Sequence, residues 1–185
     1  MPRPDQTHTA ILGALTLAPM TGYALREAIR DTLGQFWSES FGQIYPALAR
    51  LESEGLVEKV DAPGARSAPY ATTERGRERL RALLAEAPQP QKPRNGTLLR
   101  LFFGRQLGVD VCRALVEQTR ERAEQQLARL AAERASLAAD EGLRDDAPFI
   151  LMTVSAGEHS ARAALAWADE TLAALAALDQ TGDAR

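Results

Sequence analysis

The sequence predicts a mainly α-helical chain of the α+β class. Its first half reads as three helices, a two-stranded hairpin and a fourth helix, and its second half as helices alone. Three observations predict this. Apolar residues recur at three- and four-residue spacing through most of the chain, the period of a helix with one buried face. Two short extended runs near residues 56–72 flank a turn-rich stretch, and the first alternates apolar with polar residues. A stretch at residues 87–95 carries prolines and no apolar period, so it reads as an extended linker between the halves.

The elements follow in order. Residues 8–17 predict a short, largely buried helix, which Ala18-Pro19-Met20-Thr21-Gly22 interrupts. Thr21 is placed to cap a second helix, Tyr23 to Leu33, with Leu25, Ala28, Ile29 and Leu33 on its inner face. Gly34 ends it. A third helix is expected to start near Ser40 and run to about Glu54, with Ile44, Leu48 and Leu51 inside and Gly55 as its stop. Pro46 would cost about 3 kcal/mol in a helix interior. The regular helix is therefore expected to begin near Phe41–Ile44, leaving Pro46 in an early turn.

Leu56–Val60 and Ala68–Thr72 read as strands, joined by a tip, Asp61–Ser67, that carries one arginine, Arg66. Thr73 or Thr72 caps a fourth helix through Glu86, with Leu80, Leu83 and Leu84 inside. Helix, helix, helix, hairpin, helix is the order of a winged helix-turn-helix with a two-stranded wing. Beyond the linker, Leu98–Phe103 is a short apolar run. Residues 109–139 predict a long helix whose Val116, Thr119, Ala123, Leu127, Leu130 and Leu137 fall near a heptad seam. Asp140–Pro148 is an acidic break. The last helix, Phe149 to Asp179, carries Val154, Ala161, Leu165, Ala168, Leu172 and Leu175 on one stripe. Two long helices with stripes this narrow want partner helices, and a second copy of the chain is the simplest supplier. The expected organisation is thus a first domain at 1–86, a linker at 87–95, an all-helical dimerisation domain at 96–179 and a polar tail at 180–185.

Composition excludes several classes. No segment approaches the roughly 18 consecutive apolar residues of a membrane helix, and Met1–Asp5 has no apolar signal core. The chain is therefore expected to be cytoplasmic, with no membrane partner. A single cysteine, Cys112, forbids an internal disulfide and a cysteine-based zinc site, and reads as a buried thiol. His8 and His159 lack metal-ligand spacing, and Ser155 four residues before His159 is ordinary helix-surface polarity. With no phosphate-cradling glycine loop either, neither an enzyme, a metal nor a cofactor is expected. The net charge of −3 is unevenly spread. Residues 1–86 carry 10 basic and 11 acidic side chains, 87–110 carry 4 and 1, and 111–185 carry 8 and 13, so the acidic excess lies mostly in the last segment.

The runs "ILGALTLAPMTGYALREAI", "FGQIYPALARLESEGLV" and "APYATTERGRERL", followed by "LLRLFFG" and "AALAWADETLAAL", resemble the PadR-like transcriptional regulators, in the branch with a longer second domain. The resemblance implies a homodimer held by its C-terminal helices, with winged helices on double-stranded operator DNA. It implies repression in many cases, and release by a small aromatic or hydrophobic effector in some. The sequence departs from the pattern in its few basic residues, Arg50 on the third helix and Arg66 on the wing tip.

A reading helix fits the major groove and reads bases with outward side chains near its N-terminus. Ser40, Gln43 and Tyr45 lie around that end, and the Gln43 amide suits bidentate contact with adenine. Ser40 also suits the helix cap, and Tyr45 either a phosphate or the core. Arg50 suits a phosphate, or Glu54 four residues on. Arg66 and Ser67 suit the minor groove or its phosphates. Thr21 and Tyr23, at the start of the second helix, suit backbone phosphate. Phe102, Phe103 and Trp167 are candidate walls for an effector at the dimer interface, and equally candidate packing residues. The rival reading is a helical adaptor module whose winged helix binds protein. Steep salt dependence of DNA binding separates the two.

Overall fold

The computed structural model describes residues 4–33, 37, 41–62, 67–88 and 95–182. They fall into two compact units, Met1–Pro90 and Gln91–Arg185.

In the first unit α1 spans Pro4–Leu17, one turn longer than the expected start at residue 8. Proline is tolerated at the first helical position, where its missing N–H has no partner to lose. The added turn contributes buried Thr7, with His8 buried at its end. α2 spans Gly22–Ala28, and Thr21 caps it by accepting a hydrogen bond from the Ala24 N–H at 3.2 Å. The expected regular helix to Leu33 instead widens into a π-wound segment, Ile29–Leu33. One residue is added to each hydrogen-bonded loop there, and Leu33 still packs on the core.

α3 spans Phe41–Ser53. Ser40, its expected cap, lies outside the described residues. Pro46 is the sixth residue of α3, deeper than the early turn expected for it. Its ring deprives only the Gly42 carbonyl of a helical donor, and Gly42 is exposed, so water can serve instead. Gly55 terminates the helix with φ +68°. Its N–H donates to the Glu52 carbonyl at 3.0 Å, and that of Leu56 to the Leu51 carbonyl at 2.9 Å, the paired bonds of a Schellman stop.

The strands β1 (Val57–Lys59) and β2 (Tyr70–Thr72) are shorter than the runs predicted. They pair antiparallel with Val57 opposite Thr72 and Lys59 opposite Tyr70. The α1–α2 turn adds a further rung, because Met20 and Tyr70 exchange both backbone hydrogen bonds, at 3.0 and 2.8 Å. α4 spans Glu74–Ala85. Thr73 caps it through the Gly76 N–H at 3.1 Å, while Thr72 is buried and donates its hydroxyl to the Leu12 carbonyl. Leu84, expected inside, is 65% exposed. Gly76, Leu80 and Leu83 form the inner face of α4, and Leu84 projects roughly 80° from Gly76 around the axis, by the 3.6-residue turn. Ile11, Leu12, Leu25, Ile44 and Leu51 are the largest fully buried side chains of this core.

The second unit opens with α5 (Gly96–Phe102), capped by Asn95, whose side-chain oxygen accepts from the Thr97 and Leu98 N–H groups at 3.0 Å. A 3-10 turn, Gly104–Gln106, leads into α6 (Val109–Ala139). A second 3-10 turn, Glu141–Leu143, leads into α7 (Ala147–Gly182), which starts two residues earlier than expected and runs past Asp179. α6 and α7 pack antiparallel. Arg113 pairs with Asp179, Arg120 with Asp169 at 2.8 Å, and Arg134 with Glu158 at 3.0 Å. Arg134, then Arg162, holds the Glu158 carboxyl below the usual carboxylate range.

That register sets Val116 opposite Leu175, Ala123 opposite Ala168, Leu130 opposite Ala161 and Leu137 opposite Val154, all buried. Successive layers lie seven residues apart on each helix, the repeat that keeps a seam facing its partner along a left-handed supercoil. Thr119, Leu127, Leu165 and Leu172 flank the seam half-buried. Cys112 is buried at its open end. Among the described residues no helix is long and apolar enough to cross a membrane, and no cluster of side chains suits a metal ion.

Candidate nucleic-acid interface

The outward face of α3 is built by the same residues that build the core. Ile44, Leu48 and Leu51 are buried, at positions four and three apart. Burying each contributes about 1.5–3 kcal/mol, and this fixes the roll of the helix about its axis. The roll leaves Gly42, Gln43, Pro46, Ala49, Arg50 and Ser53 exposed. Gln43 thus stands in the first turn of α3 with its amide open to solvent.

Arg50 pairs with Glu54 at 2.8 Å, and it holds the Glu54 carboxyl below the usual carboxylate range. Both members are well exposed, and such pairs are weak in water. A phosphate can therefore take Arg50 from Glu54 at small cost.

Tyr45 sits on the flank of α3, half exposed, with its ring against Gly22 at the start of α2. A Cβ at Gly22 would stand 3.0 Å from the Tyr45 ring. Tyr45 thus serves as a spacer between α2 and α3 and still offers one edge to solvent. Thr21 is committed to its cap. Tyr23 is exposed, with the Arg26 guanidinium 5.9 Å from its ring centroid, within cation–π range. The structure therefore brings Tyr45 of α3 against the start of α2, where Thr21 and Tyr23 stand, while Gln43 and Arg50 lie exposed along α3. Ser67 is exposed on the hairpin, beyond the Val60–Pro69 backbone bond that extends the strand pair. Ser40 and Arg66 lie outside the described residues.

Sequence reasoning missed the root of the wing. Glu52, on α3, reaches Lys59 of β1 at 3.0 Å and accepts a hydrogen bond from the Tyr70 hydroxyl of β2 at 3.3 Å. Lys59 also lies 5.2 Å from the Tyr70 ring centroid. Glu52, then Tyr70, holds the Lys59 ammonium above the ordinary lysine range. Only the strand register makes Lys59 and Tyr70 partners, and a tip of unfixed length leaves that register open in the sequence.

In the second unit the three candidate effector walls divide. Trp167 packs, half-buried, with Leu101 against the cluster of Cys112, Val116, Ala168 and Leu175. Phe102 and Phe103 meet edge to face with ring centroids 5.1 Å apart, and are 83% and 57% exposed. Within one chain they stand in solvent, apart from that cluster.

Two family profiles match the chain in succession. The transcriptional regulator PadR-like family matches residues 11–82, and the virulence activator alpha C-terminal family matches residues 93–176. The negative transcriptional regulator PadR of Bacillus subtilis is 31% identical over 98 residues, 51% of this chain and 54% of that protein. The chain thus matches about half the length of this curated relative. The fold is similar to a PadR-like transcriptional regulator from Bacillus cereus, at TM-score 0.79 and 23% identity over 92% of this chain and 98% of that one. It is also similar to Bacillus subtilis PadR in complex with operator DNA, at TM-score 0.73 and 23% identity over 91% and 98%. The same protein in complex with p-coumaric acid gives TM-score 0.70 and 23% identity over 90% and 96%.

Proposed function

The chain belongs to the PadR-like family of transcriptional regulators, and from that premise we propose that it is a cytoplasmic, sequence-specific DNA-binding regulator that represses as a homodimer on an inverted-repeat operator. The observation that carries this reading is the roll of α3, with Ile44, Leu48 and Leu51 buried and Gln43 and Arg50 outward. Gln43 reads a base edge in the major groove, Arg50 meets a phosphate, and Arg66 and Ser67 follow the neighbouring groove. The α3 face offers little net positive charge, because Arg50 is paired with Glu54. Two copies on one duplex, with reading helices about one DNA turn apart, supply the grip that one copy lacks.

The test is selection of bound fragments from genomic DNA, followed by titration of the recovered duplex. Gln43→Ala is expected to weaken binding by about 1–3 kcal/mol and to relax preference at one base. Arg66→Ala is expected to weaken binding uniformly across sequences and to lower the salt slope by about 1. If both variants bind like the parent chain, this assignment of the reading face is wrong.

The p-coumaric acid complex of Bacillus subtilis PadR supports a ligand of the same chemistry here, a small aromatic or hydrophobic compound. Its walls are Phe102, Phe103 and Trp167, brought together when the second copy covers the exposed pair. Titration of such compounds should change Trp167 emission and leave a Trp167→Phe chain, which retains Trp37, unresponsive. Flat curves for the parent chain would leave these residues a packing role alone.

A further inference from the structure

The Glu52 carboxylate divides its two oxygens between the two strands of the wing. One oxygen holds Lys59 of β1 at 3.0 Å, and the other accepts from the Tyr70 hydroxyl of β2 at 3.3 Å. Lys59 and Tyr70 are cross-strand partners, so one side chain of α3 holds both members of a single rung. Tyr70 is fixed from its other side as well, because its backbone exchanges two hydrogen bonds with Met20 in the α1–α2 turn. From this rung the strands run on through the Val60–Pro69 bond towards the tip.

We propose that Glu52 is the positioning residue that aims the wing relative to the reading helix, so that the hairpin and Gln43 engage one duplex together. The proposal rests on the DNA-binding reading above. Its physical basis is geometric. The hairpin is two short strands, three residues each, and beyond the Met20–Tyr70 rung a ladder this short holds its direction only weakly. A link from α3 to both strands sets the direction that the ladder alone leaves loose. Such an exposed ion pair adds little to global stability, so its loss appears in wing orientation and not in unfolding.

Charge and geometry make opposite predictions, which sharpens the test. Glu52→Gln removes a negative charge beside a phosphate-binding face, and on charge alone the duplex should bind more tightly. Under the proposal it binds more weakly, on the order of tenfold, and the salt slope falls by about 1 as a wing phosphate contact is lost. The probe is the double-stranded fragment recovered by genomic selection. Tyr70→Phe keeps the ring and removes the hydroxyl, and should shift affinity in the same direction by about threefold, within the range of one hydrogen bond. Amide exchange supplies a readout that needs no DNA. The peptide covering residues 57–72 should exchange faster in both variants, while α1 and α4 peptides and the melting temperature stay within about 3 °C of the parent.

Faster wing exchange together with weaker duplex binding supports the proposal. Unchanged or tighter binding by Glu52→Gln overturns it, as does wing exchange identical to the parent. If the parent chain itself captures no duplex, the DNA-binding reading falls and this proposal falls with it. If the parent binds and Glu52→Gln binds as well, only this proposal falls.

Discussion

Gly76→Ala is expected to destabilise the first unit by about 3 kcal/mol or more, the range of a forced clash in a packed core. A Cβ at Gly76 would stand 2.0 Å from the Leu56 carbonyl oxygen and 2.7 Å from Cγ2 of Thr72. Neither neighbour is free to retreat. The Leu56 carbonyl accepts the Thr73 N–H at 3.1 Å, and the Leu56 N–H is committed to the Leu51 carbonyl at 2.9 Å. Thr72 is buried, with its hydroxyl donating to the Leu12 carbonyl. Alanine has the better helix propensity, by about 1 kcal/mol, and that gain is too small to offset the clash. The measurement is the urea midpoint and the melting temperature, and a fall on the order of 15 °C is expected for a unit of this size. Gly13→Ala is the matched control, because nothing lies within 4 Å of a Cβ there. It should be neutral or mildly stabilising. Equal midpoints for Gly76→Ala and the parent would sink the argument. The effect bears on function because Gly76 lets α4 press against the chain at Leu56, just before β1, and so seats the wing.

What could be read in the sequence, and what could not, divides along a physical line. Features governed by neighbours in sequence were legible. Thr21 and Gly55 announce a helix start and a helix stop, and both act as expected. The heptad seam of α6 and the apolar stripe of α7 were legible because a repeat sustained over four layers outweighs local noise. The inward roll of α3 was legible for the same reason.

Features governed by distant partners were not. Leu84 reads as inner by its four-residue spacing from Leu80, yet α4 presents Gly76, Leu80 and Leu83 to the core instead. That choice is made by the close approach at Gly76, which no periodicity reports. The Glu52–Lys59–Tyr70 link joins three elements, and its strand register is invisible without the folded hairpin. The π-wound end of α2 was not legible either, since its residues carry an ordinary helical spacing. Thr73, left level with Thr72 by the sequence, is chosen as the cap because Thr72 is taken into the core.

On the proposed homodimer, Phe102→Glu with Phe103→Glu is expected to yield monomers and to cost duplex affinity on the order of a hundredfold. In one chain these rings are 83% and 57% exposed, with Leu98 and Leu99 exposed on the same short helix. A soluble chain rarely leaves so much contiguous apolar surface in water without a partner. Each ring covered by a second copy contributes about 1.5–3 kcal/mol, and a carboxylate in its place must be desolvated without a partner charge. Within the chain the substitution costs little, because these side chains already face solvent. Helix content by circular dichroism should therefore hold while sedimentation equilibrium reports half the mass. The loss of affinity follows from geometry: a monomer places one reading helix on a half-site and leaves the other half-site empty. A doubly substituted chain that stays dimeric and grips the duplex like its parent would move the pairing surface off α5, and the long faces of α6 and α7 would then have to carry the second copy alone.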